Sequence, residues 1–265
     1  MYRNYGSSGH RCVLALALIL TLCPQLGHAQ GVRFQPQGAT AAGQGNAFSA
    51  QADDPSAIHY NPAGLSQVSG VQVLTGTTLV GGSVKFTSPT GIDSRGDFGG
   101  SIALPPPSYS YVSANLGSFG WNGLSNVTVG LGLTSPFGLN TRYAVDGPFN
   151  TAVTSAALPL IDIKPTVAYK LNDQLAIGIG ADIYTFASFL GQGHVEQKQV
   201  GTGALSGASV ELNGKGTGAG ANFSLLYTPL RNSDGKPIAS IGLVYRTQAV
   251  VPLSGSLLVN GTNVA

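Results

Sequence analysis

Long runs of strict two-residue alternation are the feature that most restricts what this chain can fold into. Val127, Val129, Leu131 and Leu133 fall on one face of a strand, with Asn126, Thr128, Gly130, Gly132 and Thr134 on the other. Ile161, Ile163, Val167, Tyr169 and Leu171 alternate with Asp162, Lys164, Thr166, Ala168 and Lys170. After the turn Asn172-Asp173-Gln174, Leu175, Ile177, Ile179, Ala181 and Ile183 alternate with Ala176, Gly178, Gly180, Asp182 and Tyr184. Successive side chains of a strand point to opposite faces, so each run presents one apolar face and one polar or small face. Two such runs joined by so short a polar turn read as a hairpin. Val71 to Phe86, Tyr109 to Phe119, Gly218 to Thr228 and Ile238 to Thr247 are further strand candidates, and a partial strand begins near Ser254.

Length and composition then narrow the class. Most of the runs are about 10 to 16 residues, enough for a tilted membrane strand, whereas soluble strands run about 5 or 6. Charged residues are only 9% of the chain, against about 25% in soluble domains, and 38 of 265 residues are Gly. Connections also alternate: 87–107, 135–160 and 190–216 read as long loops, while 172–174 is very short. Long loops at one end and short turns at the other are the pattern of a membrane barrel. The expected class is all-β, a transmembrane antiparallel β-barrel with seven or eight strands in this chain.

The N-terminus carries a different signal. Arg3, His10 and Arg11 precede an apolar run from Cys12 to Cys23, and Pro24 and Gly27-His28-Ala29 follow. That order predicts a signal peptide over 1–29, since the run is too short for a spanning helix. A lipoprotein site at Leu20-Thr21-Leu22-Cys23 is disfavoured by the bulk of Leu22. Cleavage after Ala29 removes both cysteines and takes the formal charge from +2 to zero. Disulfide chemistry and a nucleic-acid surface are therefore not expected. From Gln30 to Gln67 the two-residue pattern is absent. Asp54-Pro55 reads there as the start of a short helix, with Asp54 as N-cap, and Asn61-Pro62 as its end.

Several of these residues resemble a known family, the FadL-type transport proteins for long-chain fatty acids and other hydrophobic compounds. The resemblance lies in Gly38 to Ser49, in Asp53-Asp54-Pro55-Ser56 and in Asn61-Pro62-Ala63-Gly64-Leu65. It continues in Leu133 to Leu139, Asp162 to Leu171, Gly218 to Phe223 and Ile241 to Arg246, and covers nearly all of 31–260. It implies an outer-membrane barrel of 14 strands closed by an N-terminal hatch. This chain would then supply a hatch at 30–69 and the N-terminal part of the barrel at 70–265, incomplete at its C-terminus. It further implies facilitated diffusion of a long-chain fatty acid or similar hydrophobic molecule. The implied partners are that molecule, outer-membrane lipid and lipopolysaccharide, and the barrel assembly machinery, with no cofactor.

On that resemblance Asn61, Pro62 and Ala63 are candidate hatch or gate residues, or a simple helix stop. Phe137, Leu139, Phe149, Leu158 and Leu160 put many large apolar groups into a water-facing connection. They form either an acyl-chain groove or a cluster packing on itself. Gly130 and Gly132 mark the strand at which the resemblance places a lateral opening; alternatively they make room for the hatch. Asp162, Lys164, Lys170, Asp182 and Arg246 share the polar phase and are expected to pair inside the barrel. Arg142 reads as a solvated loop charge or a head-group partner. An enzyme is not expected: after cleavage only His59 and His194 remain, and no nucleophile-elbow or Cys/His metal spacing occurs. Two alternatives stay open, a lipid-modifying enzyme of the outer membrane and a secreted or adhesive structural β-protein. Washing membranes with salt or urea separates the last: a barrel stays in the membrane fraction, and a structural β-protein leaves it.

Overall fold

The computed structural model describes residues 34, 36–87, 89, 91–102, 108–137, 140–186 and 193–264. The expected signal peptide at 1–29, and Leu139, lie outside the described residues. Seven strands form a first antiparallel sheet: β1 (Val71–Thr77), β4 (Ser108–Asn115), β5 (Val127–Thr134), β8 (Leu160–Lys170), β9 (Leu175–Phe186), β12 (Gly218–Arg231) and β13 (Pro237–Arg246), neighbours in that order. The sheet is curled into a half-barrel. Its expected hairpin is present, with Val127 paired to Tyr169, Tyr169 to Ile177 and Ile177 to Leu225 across four adjacent strands.

A second antiparallel sheet contains β2 (Gly81–Thr87), β3 (Asp93–Ile102), β6 (Asn140–Tyr143), β7 (Ser155–Ala157), β10 (Val195–Val200), β11 (Ser209–Lys215), β14 (Ser254–Val259) and β15 (Thr262–Asn263). Along the chain each first-sheet strand is continued by a second-sheet strand: β1 by β2, β5 by β6, β9 by β10. This corrects the expectation that 87–107, 135–160 and 190–216 are loops, because β3, β6, β7, β10 and β11 lie within them. Their sequences, such as Val195-Glu-Gln-Lys-Gln-Val200, have too little apolar alternation to be recognised, and ladder pairing with the neighbours holds them. The expected single run from Val71 to Phe86 is likewise two strands, broken at 78–80. Pro136, Pro159 and Pro252 stand at three of the crossings between sheets, where a residue without an N–H cannot continue the ladder.

Across the first sheet the usual placement of polarity is inverted. Val73, Leu131, Ile179, Leu243 and Tyr245 are exposed on the convex face, and Val71, Val112, Val167, Ile177, Phe223 and Ile241 accompany them. The residues between them are buried: Ser113, Thr128, Thr134, Asp162, Lys164, Thr166, Asp182, Asn222, Ser224 and Thr228. An apolar outside around a polar inside is stable only where the surroundings are hydrocarbon.

Residues 36–69 fill the concave side. A short helix α1 (Ala39–Gly43) leads to a helix α2 (Ala57–Tyr60), and a 3-10 segment follows at Pro62–Gln67. Helix α2 begins later than the Asp54 N-cap reading expected. The Asp54 carboxylate instead accepts from the Ser56 N–H (2.8 Å) and hydroxyl (2.6 Å) in the turn before it. Asn61 ends α2 in an extended conformation, as Pro62 dictates. Phe48, Ile58, Tyr60, Leu65 and Val68 form one apolar cluster with Tyr109 and Tyr111 of β4 and Ala168 of β8. Tyr60 donates no less than it packs: its hydroxyl bonds to Asn46 Oδ1 (3.0 Å) and accepts from the Gln37 N–H (2.9 Å).

Beside this cluster lies a closed set of charges. Lys164 pairs with Asp162 (2.6 Å) and with Asp182, and Asp182 also faces Arg246 (3.5 Å) and accepts from Asn222 (3.2 Å). Two cations thus meet two anions, with Lys164 and Asp162 fully buried. Removing one partner of such a set strands its counter-charge, which costs about 3–5 kcal/mol. Lys164→Ala is therefore expected to lower the urea midpoint by an amount equivalent to about 3–5 kcal/mol, read as loss of heat-modifiable gel mobility, whereas Lys170→Ala at the exposed turn leaves it nearly unchanged.

Candidate functional site

The seat of the N-terminal segment is built from small residues. A Cβ at Gly130 would lie 2.7 Å from Ile58 Cδ1, and one at Gly132 would lie 2.8 Å from Ile58 Cγ2. At Gly178 it would collide with the backbone of Pro62 and Ala63, and at Gly242 with the carbonyl of Ser49. All four glycines occupy the inward phase of their strands, so the backbone of the segment approaches the sheet where any other residue would hold it off. Gly130 and Gly132 therefore lie under Ile58, and β5 is paired without a register shift to β4 over Thr128–Thr134 and to β8 over Val127–Thr134.

Asn61 fastens the segment to this seat. Its fully buried amide donates to the Ser49 carbonyl (2.6 Å) and to the Leu225 carbonyl of β12 (3.2 Å). Its Oδ1 accepts from the Ala63 N–H (3.1 Å), which is shared with the Ser224 hydroxyl (2.9 Å). Pro62 places the next turn, and Ala63 packs on Ala176 and Leu226. The triplet thus bonds two parts of the segment to each other and both to β12. Sequence reasoning singled out Asn61, Pro62 and Ala63 but missed Ser224, Gly178 and Gly242, whose inward phase was the available signal.

Next to this contact is a cavity of about 230 Å³ lined by Phe137, Leu160, Tyr184, Ala249 and Val251, with Asp182, Arg246 and Thr247 as its polar members. Phe137 and Tyr184 stand with ring centroids 6.3 Å apart. Arg246 reaches it from β13 while donating to the His59 carbonyl of the N-terminal segment. One guanidinium therefore serves the cavity, the segment and Asp182 together. The Phe34 N–H bonds the Pro136 carbonyl (2.7 Å), bringing the start of the segment to the same rim.

The apolar candidates divide between two places. Phe137 and Leu160 meet in the cavity. Phe149 packs with Phe86 (4.7 Å) and Tyr143 (5.9 Å) on the second sheet, and Leu158 is at the surface. Arg142 is exposed on β6. Just before β10, on β10 and on β11, ligand atoms of His194, Glu196 and Glu211 lie within 4.8 Å of one another. The Lys198 ammonium serves both carboxylates, at 3.0 and 3.4 Å.

A family profile described as "Outer membrane protein transport protein (OMPP1/FadL/TodX)" matches residues 23–264. The chain belongs to this family. Its place is the outer membrane, which agrees with the inverted polarity of the first sheet. A "Long-chain fatty acid transport protein" of Salmonella typhi is 26% identical over 263 residues, 92% of this chain and 55% of that protein. Among solved structures, the Ralstonia pickettii toluene transporter TbuX superposes with a TM-score of 0.64 at 16% identity, over 85% of this chain and 61% of that one. A Pseudomonas aeruginosa FadL homologue gives 0.56 at 15% identity, over 87% and 56%. The chain thus spans little more than half the length of these relatives. Membership favours hydrophobic-compound transport over the lipid-enzyme and adhesive readings.

Asn61→Ala removes the bonds to Ser49 and Leu225 and leaves their partly buried carbonyls short of a donor, a cost of about 1–3 kcal/mol. Cleavage of residues 38–67 by a protease at low concentration is expected to rise about 5- to 150-fold, with the strands still folded.

Proposed function

We propose that this chain takes part in facilitated diffusion of long-chain fatty acids or closely similar amphiphiles across the outer membrane. Residues 1–29 direct export, 30–69 act as a hatch, and 70–265 form the N-terminal part of the barrel. The observation that carries the reading is the cavity in which Phe137 and Leu160 meet Arg246 at the edge of the hatch. Apolar walls with one reachable cation suit a molecule with a hydrocarbon body and an anionic end. Both transport relatives are named for hydrophobic substrates, a long-chain fatty acid in one case and toluene in the other; Arg246 favours the first class.

The cavity is smaller than the roughly 300–1,000 Å³ of sites that enclose a drug-sized ligand. It therefore takes the head group and the first methylenes, with the tail lying along other apolar surface. Burying hydrocarbon supplies the free energy, about 0.8 kcal/mol per methylene. No bond is made or broken. The work of the protein is to keep a path dry through lipopolysaccharide and to hold its hatch until the path is occupied. Asn61, Pro62 and Ala63 hold the hatch conformation, Gly130 and Gly132 accommodate it, and insertion depends on the barrel assembly machinery.

Binding of a fluorescent fatty acid, displaced by unlabelled ligand, tests the assignment. Phe137→Ser with Leu160→Ser is expected to weaken it at least about tenfold, since each large apolar contact contributes about 1.5–3 kcal/mol. Phe149→Ser leaves affinity unchanged. Arg246→Gln weakens a carboxylate more than the alkane of equal length; equal losses for both ligands would rule out the head-group role.

A further inference from the structure

Three connections close the first sheet at its short-turn end, and they differ sharply in chemistry. Leu171–Gln174 and Asn232–Lys236 are polar and short, and in the first the Lys170 ammonium holds the Asp173 carboxyl below the ordinary carboxylate range. The third, 116–126 between β4 and β5, reads Leu-Gly-Ser-Phe-Gly-Trp-Asn-Gly-Leu-Ser-Asn and carries no charge. Phe119, Trp121 and Leu124 are 55%, 57% and 42% exposed. Phe119 and Trp121 stand together, with ring centroids 6.2 Å apart.

The connection is folded rather than slack. It makes two 3-10 turns, Leu116–Phe119 and Asn122–Leu124. Asn115 locks its two ends: Oδ1 accepts from the Gly117 N–H (3.1 Å), and Nδ2 donates to the Ser125 carbonyl (2.9 Å) and Thr128 hydroxyl (3.2 Å). Gly120, at a left-handed φ of 81°, closes the first turn. Three large apolar side chains are thereby held outward on a fixed loop.

Position says what covers them. Strand β5 begins at Val127, directly paired with Tyr169, and Tyr169, Leu171 and Tyr227 are exposed at the same end of the lipid-facing wall. The apolar loop is continuous with that wall and lies at its rim. In an outer-membrane barrel the short-turn end is periplasmic, and aromatic residues gather where the hydrocarbon meets the head groups. We propose that the β4–β5 connection is an interfacial foot, with Phe119, Trp121 and Leu124 seated in the head-group and upper acyl region of the periplasmic leaflet. The partner is phospholipid, and the absence of charge lets the loop enter this region without stranding an ion.

Trp121 is the only tryptophan of the chain, so its emission reports this loop alone. The measurement is tryptophan fluorescence of protein in phosphatidylethanolamine/phosphatidylglycerol vesicles, taken on the fraction that survives a carbonate wash. Some vesicles carry lipid brominated or doxyl-labelled near the head group, and others carry the label near the chain terminus. Shallow labels are expected to quench Trp121 at least twice as strongly as deep ones, with aqueous iodide quenching severalfold less than for free tryptophan. Full iodide quenching with no effect of either label would place the loop in water and overturn the proposal. So would a Trp121 that is shielded only after periplasmic proteins are added, because that outcome assigns the surface to a protein partner. Stronger quenching by deep labels would overturn the interfacial placement as well.

Discussion

The close approach of one backbone to another governs the interior of this protein. Where Gly178 faces Pro62 and Ala63, and Gly242 faces Ser49, there is no room for a Cβ. At these points the N-terminal segment rests on strand backbone, while its apolar side chains pack on Tyr109, Tyr111 and Ala168. The backbone contacts themselves bury little hydrocarbon and are held by directed bonds, which is the part played by Asn61 and Ser224. The same contact explains why the inward face is polar. The Ser224 hydroxyl accepts from the Ala63 N–H, the Tyr111 hydroxyl donates to the Gln37 carbonyl and Arg246 donates to the His59 carbonyl. These meet a segment whose own backbone is mostly irregular, and buried irregular backbone is tolerable only when its donors and acceptors are met.

Charge completes what the small residues begin. Lys164, Asp162, Asp182 and Arg246 balance among themselves, so the interior carries ions without a net field across the membrane. Arg246 is the least buried of the four and the one with ties beyond the network, to His59 on the segment and to the cavity with Phe137 and Leu160. A lone cation in a low-dielectric interior would be too costly to leave unpaired. Here Asp182 and the His59 carbonyl stabilise Arg246.

Much of the first sheet was legible in the sequence because the lipid side demands an apolar residue at every second position. The runs at Val127–Leu133, Ile161–Leu171 and Leu175–Ile183 appear as strands with the faces expected, and Asp162, Lys164, Asp182 and Arg246 meet inside as their phase required. Lys170, although in phase, lies at the turn and pairs with Asp173 instead. The second sheet was not legible. Strands such as β10 and β11 are paired on both sides but have no hydrocarbon to face, so alternation is not imposed on them. At the cavity the sequence supplied Phe137 and Leu160 but grouped them with Phe149, because position in one connection cannot reveal that β6 and β7 carry Phe149 away toward Phe86.

The two-tier wall follows from the same division of labour. Within hydrocarbon the ladder must be unbroken, and β4, β5 and β8 pair residue by residue. Above it, each pass can interrupt its hydrogen bonds where water or polar lipid satisfies the freed groups, and Pro136, Pro159 and Pro252 stand at such interruptions. The cavity draws its walls from this level: Phe137 and Leu160 flank the crossings from β5 and into β8, and Ala249 and Val251 lie on the crossing from β13. Below it the inward face is already occupied by the N-terminal segment and by the paired charges of Asp162, Lys164 and Asp182. A cavity at the junction thus has apolar walls although the interior below it carries buried polar and charged groups.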